Sequence, residues 1–200
     1  MENDDPESFQ AFSRFRHFYF VEQLGWPLRA DDGHERDEFD GGDAIYCVLF
    51  EENEVIGGWR ALPTEGPYLG ATVFPQLATL ASYPRRPDAW EVTRLGGTRH
   101  QALTYGLMFH FAQQKQAHAL VAVVDTAHER LLRRLGIRTR RYGPPQQVGF
   151  TTHGRSIEAV AGEIPMEDQD PGVINRFLMR NHTVDIADAT LALRSASIPS

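Results

Sequence analysis

The segment Ala119-Leu120-Val121-Ala122-Val123-Val124 is apolar at every position. A strand with one wet face alternates polar and apolar residues, so a short unbroken apolar run implies a strand covered on both faces. It lies between two stretches of helical periodicity. Residues 98–117 place Tyr105, Met108, Phe109 and Ala112 on one side, and residues 127–135 end at Gly136. A buried strand between helices implies an α/β fold.

The remaining segments extend that frame. Residues 1–8 are expected to be disordered. A helix over 9–24 follows, with Phe12, Phe15, Tyr19 and Phe20 at helical spacing, Ser8 as N-cap and Gly25 as stop. Residues 25–43 hold Pro27, Gly33, Gly41 and Gly42 and predict a long irregular loop of the kind that is usually functional. Residues 44–50 and 55–62 predict a hairpin, 68–74 a weaker strand, 75–80 a short helix and 89–95 a strand followed by Gly96-Gly97. Beyond the central run, 137–142, 150–152 and 156–161 predict strands and 167–180 a helix, with the last twenty residues ambiguous. The expected fold is a single α/β domain over 1–200, a mixed twisted sheet flanked by helices on both faces. The strands 89–95 and 119–124, linked by a helix, form a natural ligand cleft.

Composition narrows the function. The net charge of −7 argues against nucleic acid as the main partner. No run of 18 apolar residues exists, so no membrane span is expected. The start, Met1-Glu2-Asn3-Asp4-Asp5, is acidic where a signal peptide is basic and then apolar, which predicts a cytoplasmic location. The single cysteine, Cys47, excludes an internal disulfide and is expected to be a small buried apolar residue. No GxSxG, GxxxxGK or HExxH motif is present, and the eight histidines show no ligand spacing. Neither a metal nor a cofactor is expected.

What remains is a set of opposed charges. The stretch Glu35-Arg36-Asp37-Glu38-Phe39-Asp40 crowds carboxylates behind a helix carrying Arg16 and before strands carrying Arg60 and Arg94. A turn there would aim two of the acids inward. Arg16, Arg60 and Arg94 are the natural counter-ions, and the same residues could equally form a buried salt-bridge network or a plain acidic surface loop. Glu91 and Arg94 are three apart on a strand and should face opposite sides, with different partners. Between Arg130 and Arg141 lie six arginines and no acid, Arg130, Arg133, Arg134, Arg138, Arg140 and Arg141, either a solvated face or a docking patch for an acidic or phosphorylated partner.

Taken with their spacing, these residues resemble a known family. Arg16-x3-Phe20-x5-Trp26, Asp37-Glu38-Phe39-Asp40, Arg60-Ala61-Leu62-Pro63-Thr64, Val73-Phe74-Pro75 and Trp90-Glu91-Val92-Thr93-Arg94 are similar to the acyl-homoserine lactone synthases, the autoinducer synthases of quorum sensing. The likeness runs over about 14–95 and continues beyond 100 mainly as a strand–helix pattern. It implies an N-acetyltransferase-like fold, S-adenosylmethionine as amine substrate, and an acyl thioester on acyl carrier protein or coenzyme A as donor. It further implies that Arg16, Phe20, Trp26, Asp37, Asp40, Arg60 and Phe74 bind S-adenosylmethionine and that Glu91, Thr93 and Arg94 serve catalysis. The chain departs from the family in its short N-terminus, in Thr93 where serine is common, and in the compact Leu95-Gly96-Gly97-Thr98. A glycine pair entering a helix leaves coenzyme A open as carrier.

The chemistry of the residues agrees. Carboxylates suit the sulfonium and ammonium of S-adenosylmethionine, arginine suits its carboxylate, and Phe20 or Trp26 can face the sulfonium. Acylation needs a neutral amine and therefore a base, for which Glu91 is the candidate. Strand N–H groups near 91–95 could serve the oxyanion. Val92, Met108, Ala122 and Val124 are candidate acyl-pocket residues, or plain core. Ala122 offers no donor, which favours an unsubstituted chain. Arg133, Arg134 and Arg138 are candidate docking residues for the carrier. An N-acyltransferase acting on another amine without lactone formation, and a non-catalytic binder of this fold, remain the alternatives.

Overall fold

The computed structural model describes residues 5–188, apart from the side chains of His182 and Thr183. Helix α1 (Pro6–Arg16) continues into a π-helical turn at His17–Gln23, followed by two short paired strands, β1 (Ala30–Asp31) and β2 (His34–Glu35). The hairpin β3 (Ile45–Glu51) and β4 (Glu54–Pro63) precedes α2 (Leu69–Val73), a 3-10 turn at Pro75–Leu77 and β5 (Ala89–Gly97). Then come α3 (Gln101–Gln114), β6 (Ala119–Asp125) and α4 (Thr126–Arg134). The chain continues through β7 (Arg140–Arg141), β8 (Gln146–Phe150), β9 (Ser156–Pro165) and α5 (Pro171–Leu178), ending in a 3-10 turn at Met179–Thr183.

The main sheet runs β3-β4-β5-β6-β9-β7, with β8 also paired to β9. The apolar run is central, as its sequence requires: β6 is parallel to β5 and antiparallel to β9. Alternation along the strands divides the core in two. Trp59, Ala61, Val92 and Leu120 pack with α3 and α5, and Cys47 packs against this cluster. Leu62, Ala89 and Val121 pack with Tyr68, Leu77 and Tyr142 on the other face. There α1 lies across β4, and Phe12 sits where a Cβ on Gly58 would be.

Several local expectations are corrected. Residues 5–8 are ordered: Asp5, not Ser8, caps α1, accepting the Ser8 N–H at 3.0 Å, and Pro6 occupies the first turn, where it loses no helical bond. Residues 1–4 and 189–200 lie outside the described residues. The segment 68–74 is the helix α2 rather than a strand. Its first N–H groups are collected by the Glu91 carboxylate, a partner 22 residues away that local propensity cannot reveal. The strand expected at 137–142 shrinks to the two residues of β7, and β9 extends to Pro165. Strand β5 runs through both glycines. At Gly96 a Cβ would lie 2.8 Å from the Tyr19 ring, so glycine lets the π-helical turn rest on the strand.

Two irregularities of β5 shape the site. Its pairing with β6 ends at Glu91↔Val121, although both strands continue, so the sheet splays from that point. On its other edge Gly58 faces Gly96 while Arg60 faces Thr93, leaving one extra residue in β5. This is a β-bulge, and Arg94 within it has φ +54, the left-handed region that non-glycine residues adopt at a cost.

Close helix packing supplies a test. A Cβ on Gly106 of α3 would lie 2.4 Å from the Phe177 carbonyl oxygen in α5, whereas one on Gly66 would meet nothing within 4 Å. Gly106→Ala is expected to lower stability by about 1–3 kcal/mol and Gly66→Ala to leave it near wild type. Urea unfolding of both variants checks this, and equal stabilities would show that α3 and α5 are not closely docked.

Candidate active site

Six charged side chains close into a ring of alternating sign. Arg16 donates from Nε to Glu35 at 2.5 Å and through both terminal nitrogens to Asp40, at 2.7 and 3.0 Å. Arg60 bridges Asp40 at 2.8 Å and Asp37 at 2.5 and 3.0 Å. Arg94 bridges Asp37 at 2.8 Å and Glu35 at 2.9 and 3.1 Å. Three guanidinium charges cancel three carboxylate charges, and each arginine spans two acids. Thr93 accepts the remaining Arg60 Nε–H at 3.1 Å, and the Tyr46 hydroxyl donates to Asp40 at 2.8 Å.

The local sequence explains how one short loop supplies all three acids. Glu35 leaves the β1–β2 turn pointing inward. Asp37 accepts the N–H of Phe39, and Asp40 accepts the N–H of Asp37, folding the loop back on itself. Phe39 is buried beneath the Arg60 guanidinium. Burial alone would raise these carboxyls, but the arginine bonds and charges outweigh it and hold Glu35, Asp37 and Asp40 below the usual carboxylate range. Glu35 was missed as a site residue in the sequence. The available signal was the count: three arginines aimed at one loop need three acids.

The ring also corrects the expected side of Arg94. The bulge swings its guanidinium to the acids that Arg60 binds, instead of the opposite face. The inference of different partners for Glu91 and Arg94 nevertheless holds. Asp37, Asp40, Arg16 and Arg60 are engaged with one another, so the buried network anticipated as an alternative is what the loop forms. The side chains of Asp37 and Arg94 keep the most surface, 12% and 8%, and form the ring's open corner.

Glu91 sits two residues before Thr93 and is fully buried. Its oxygens accept the N–H groups of Leu69 and Gly70 at 2.9 and 2.6 Å, at the start of α2. A Cβ on Gly70 would lie 2.8 Å from the Glu91 carboxylate, so the close seat depends on glycine. Burial pushes the Glu91 carboxyl up to about 7, against the lowering effect of the two N–H groups, Arg60 and Arg94. Phe74 is half-buried beyond α2, and its carbonyl accepts from Tyr83 at 3.1 Å.

Aromatic residues lie against the end of β5, where Tyr19 and Phe20 border Gly96. Phe20 is buried and stacks on the half-buried Trp26, with ring centroids 5.2 Å apart. Tyr19 lines a cavity of about 90 Å³ with Leu95, Gly96, Gly97, Tyr105 and His128. The Gly25 carbonyl accepts the Thr152 N–H at 2.7 Å, tying the far end of this strap to the β8–β9 turn. Val92 and Met108 belong to the filled core, while Ala122 and Val124 are half-buried and line a smaller cavity. Arg133 and Arg134 are exposed on α4. Arg138 donates to the Asp168 carbonyl at 2.9 Å, Arg140 pairs with Glu163 and Asp168, and Arg141 pairs with Glu129. Among the described residues, no cluster of potential ligands could hold a metal ion, and no helix is long and apolar enough to cross a membrane.

The site is thus a splayed parallel pair with a buried glutamate at its vertex and an aromatic strap against the end of β5, and the family to which the chain belongs makes it an acyltransferase. The chain belongs to the autoinducer synthase family, whose profile matches residues 2–170. The acyl-homoserine-lactone synthase of Acinetobacter nosocomialis is 33% identical over 156 residues, covering 70% of this chain and 85% of that relative. The crystal structure of TofI in a ternary complex with an inhibitor and MTA is 30% identical, with a TM-score of 0.74 over 84% of this chain and 89% of that one. The fold is shared with BjaI, a CoA-dependent acyl-homoserine lactone synthase solved with SAM and isopentyl-CoA, at 24% identity and a TM-score of 0.77 over 94% and 88% of the two chains.

Removing one member of the ring leaves a buried charge without its partner. Asp40→Asn is expected to reduce stability by about 3–5 kcal/mol at neutral pH. Because the folded carboxyls titrate below their unfolded values, the ring's contribution is present above the ordinary carboxylate range and is lost as pH falls through the lower folded values. Urea titrations across this range measure both effects. A wild-type midpoint for Asp40→Asn would show that the ring does not hold the loop.

Proposed function

We propose that the protein acylates the amine of S-adenosylmethionine from an acyl thioester and closes the product to an acyl-homoserine lactone, releasing methylthioadenosine. The observation that carries this reading is Glu91, a buried carboxylate with a raised pKa at the vertex where β5 and β6 part. A thioester inserted in the splay would meet an amine held from the strap side within reach of that carboxylate.

The ring positions the S-adenosylmethionine side. Its open corner, Asp37 with Arg94, offers a carboxylate to the ammonium and a guanidinium to the substrate carboxylate. Asp40, Arg16 and Arg60 hold that corner in place from beneath. Trp26 and Phe20 face the sulfonium, a cation–π contact of roughly 0.5–2 kcal/mol, and Phe74 closes the pocket beside α2. Glu91 takes the amine proton, directly or through water. The nitrogen attacks the thioester carbon, the backbone N–H groups freed by the bulge near Thr93 and Arg94 receive the oxyanion, and the C–S bond breaks to give the thiol carrier. The substrate carboxylate then attacks the carbon beside the sulfonium, and the second C–S cleavage releases methylthioadenosine.

The acyl chain runs behind the splay toward Val92, Met108, Ala122 and Val124. The carrier is acyl carrier protein or coenzyme A, and the exposed Arg133 and Arg134, with Arg138 beside them, suit an acidic carrier protein. No metal or cofactor is part of this reading, and the reaction is placed in the cytoplasm.

Purified protein given S-adenosylmethionine and an acyl thioester should yield lactone and methylthioadenosine together by mass spectrometry. An acyl amide without methylthioadenosine would favour the N-acyltransferase alternative. With Glu91 as base, turnover should rise with pH through about 7. Glu91→Gln should lower it on the order of 10²–10⁴-fold and abolish that limb. Persistence of the limb in a folded Glu91→Gln variant would assign the base elsewhere.

Charge reversal at Arg133 and Arg134 should raise the KM for acyl carrier protein and leave the KM for S-adenosylmethionine unchanged. An unaltered carrier KM at low ionic strength, where screening is weakest, would make this a plain solvated face.

A further inference from the structure

Two cavities open beneath α4, one on each side. His128 and Leu131 face the cavity of about 90 Å³ at the wide end of the splay. Glu129 and Leu132 face the second, of about 30 Å³, against β6 and β9. Helix α4 therefore bridges both, with Ala122 and Val124 of β6 lining the inner one. Apart from its rim the second cavity is aliphatic, walled by Leu120, Leu132, Val160 and Ile164. The two cavities share no lining residue, and on the acyl-pocket reading a chain that enters through the splay and runs under α4 would end in the second.

The rim of this cavity is charged. Arg141 donates from Nε and Nη2 to the two oxygens of Glu129 at 2.5 and 2.6 Å. Glu129 is buried, and both residues line the cavity. One lies on α4 and the other on β7, so the pair ties the bridging helix to the sheet edge at the polar side of the cavity, beside Thr139, Arg140 and Glu163.

We propose that the Glu129–Arg141 pair is the end-stop that limits acyl chain length. This rests on the acyl-pocket reading for Ala122 and Val124. A chain of fitting length fills the aliphatic space and meets the pair. A longer one must part the two bonds of the pair and push methylenes between the buried Glu129 carboxylate and the Arg141 guanidinium, whose side chain is 40% exposed and opens to solvent. Each methylene that fits or fails to fit an apolar pocket changes preference by roughly 10–200-fold.

The test removes both partners, since deleting one would strand the other. Glu129→Ala/Arg141→Ala opens the floor, and Glu129→Gln/Arg141→Ala does so while keeping a polar side chain on α4, should the first variant fold poorly. Each is assayed with a ladder of saturated acyl thioesters on one carrier, with lactones quantified by mass spectrometry and folding checked by thermal melting. The expected result is a shift of the preferred donor by two or more carbons, with use of the longer donor relative to the wild-type optimum rising about 10-fold or more. Glu129→Leu/Arg141→Met refills the rim with apolar atoms and should restore the wild-type cut-off. Ala122→Phe, run in parallel, separates the two readings. If it shortens the preferred chain while the opened variants keep the wild-type profile, the end-stop is overturned and the pocket stands. If neither alters the profile, both are overturned. An equal loss for every chain length in a folded opened variant also overturns the end-stop.

Discussion

The closed ring of Arg16, Glu35, Arg94, Asp37, Arg60 and Asp40 is the interaction on which the N-terminal half depends. Burying a charge is expensive unless it is paired and hydrogen-bonded, and here every member has at least two opposite neighbours. The ring joins a helix, a loop and two strands. It explains why a loop of this length keeps one shape, and why the strap of Tyr19, Phe20 and Trp26 lies where it does.

Much of this was legible in the sequence. The apolar run at 119–124 gave the central strand, its flanking helices gave the layers, and the charge pattern brought Asp37 and Asp40 together with Arg16, Arg60 and Arg94. What escaped has identifiable causes. Helix α2 was hidden because Glu91, far away in the chain, satisfies its first N–H groups. The side of Arg94 was misjudged because period-two alternation fails at a bulge, and an arginine at φ +54 leaves no sequence signal. Glu35 has no signal of its own beyond the number of arginines, since a turn that aims only Asp37 and Asp40 inward leaves Arg16 and Arg94 each without a second acid. The ends of β7 and β9 are set by pairing at a sheet edge, which propensity alone does not encode.

Four carboxylates crowd one face of the sheet, and their surroundings drive them apart. Three meet guanidinium forks and stay ionised well into acid. The fourth, Glu91, meets backbone N–H groups and apolar walls and sits at about 7. Groups of one chemical type separated in this way can divide the work of an enzyme, with fixed charge for orientation and a movable proton for chemistry. The Arg60 guanidinium touches both regions: it closes the ring, holds Thr93, and lowers the Glu91 carboxyl through space.

All three acids of the ring come from one span of six residues, whereas its arginines are scattered, with Arg94 lying 59 residues from Glu35. Arg16 can meet Glu35 and Asp40 on its own, but such a ring cannot finish closing until β4 and β5 are paired and the bulge is formed. Closure over so long a separation costs chain entropy that only the finished ring returns. The N-terminal segment is therefore expected to dock late in folding and to detach first, as a unit, while the sheet persists. In hydrogen exchange this would appear as α1 and the loop opening together at a lower free energy than β5 and β6, and a single common opening energy for all four would rule it out.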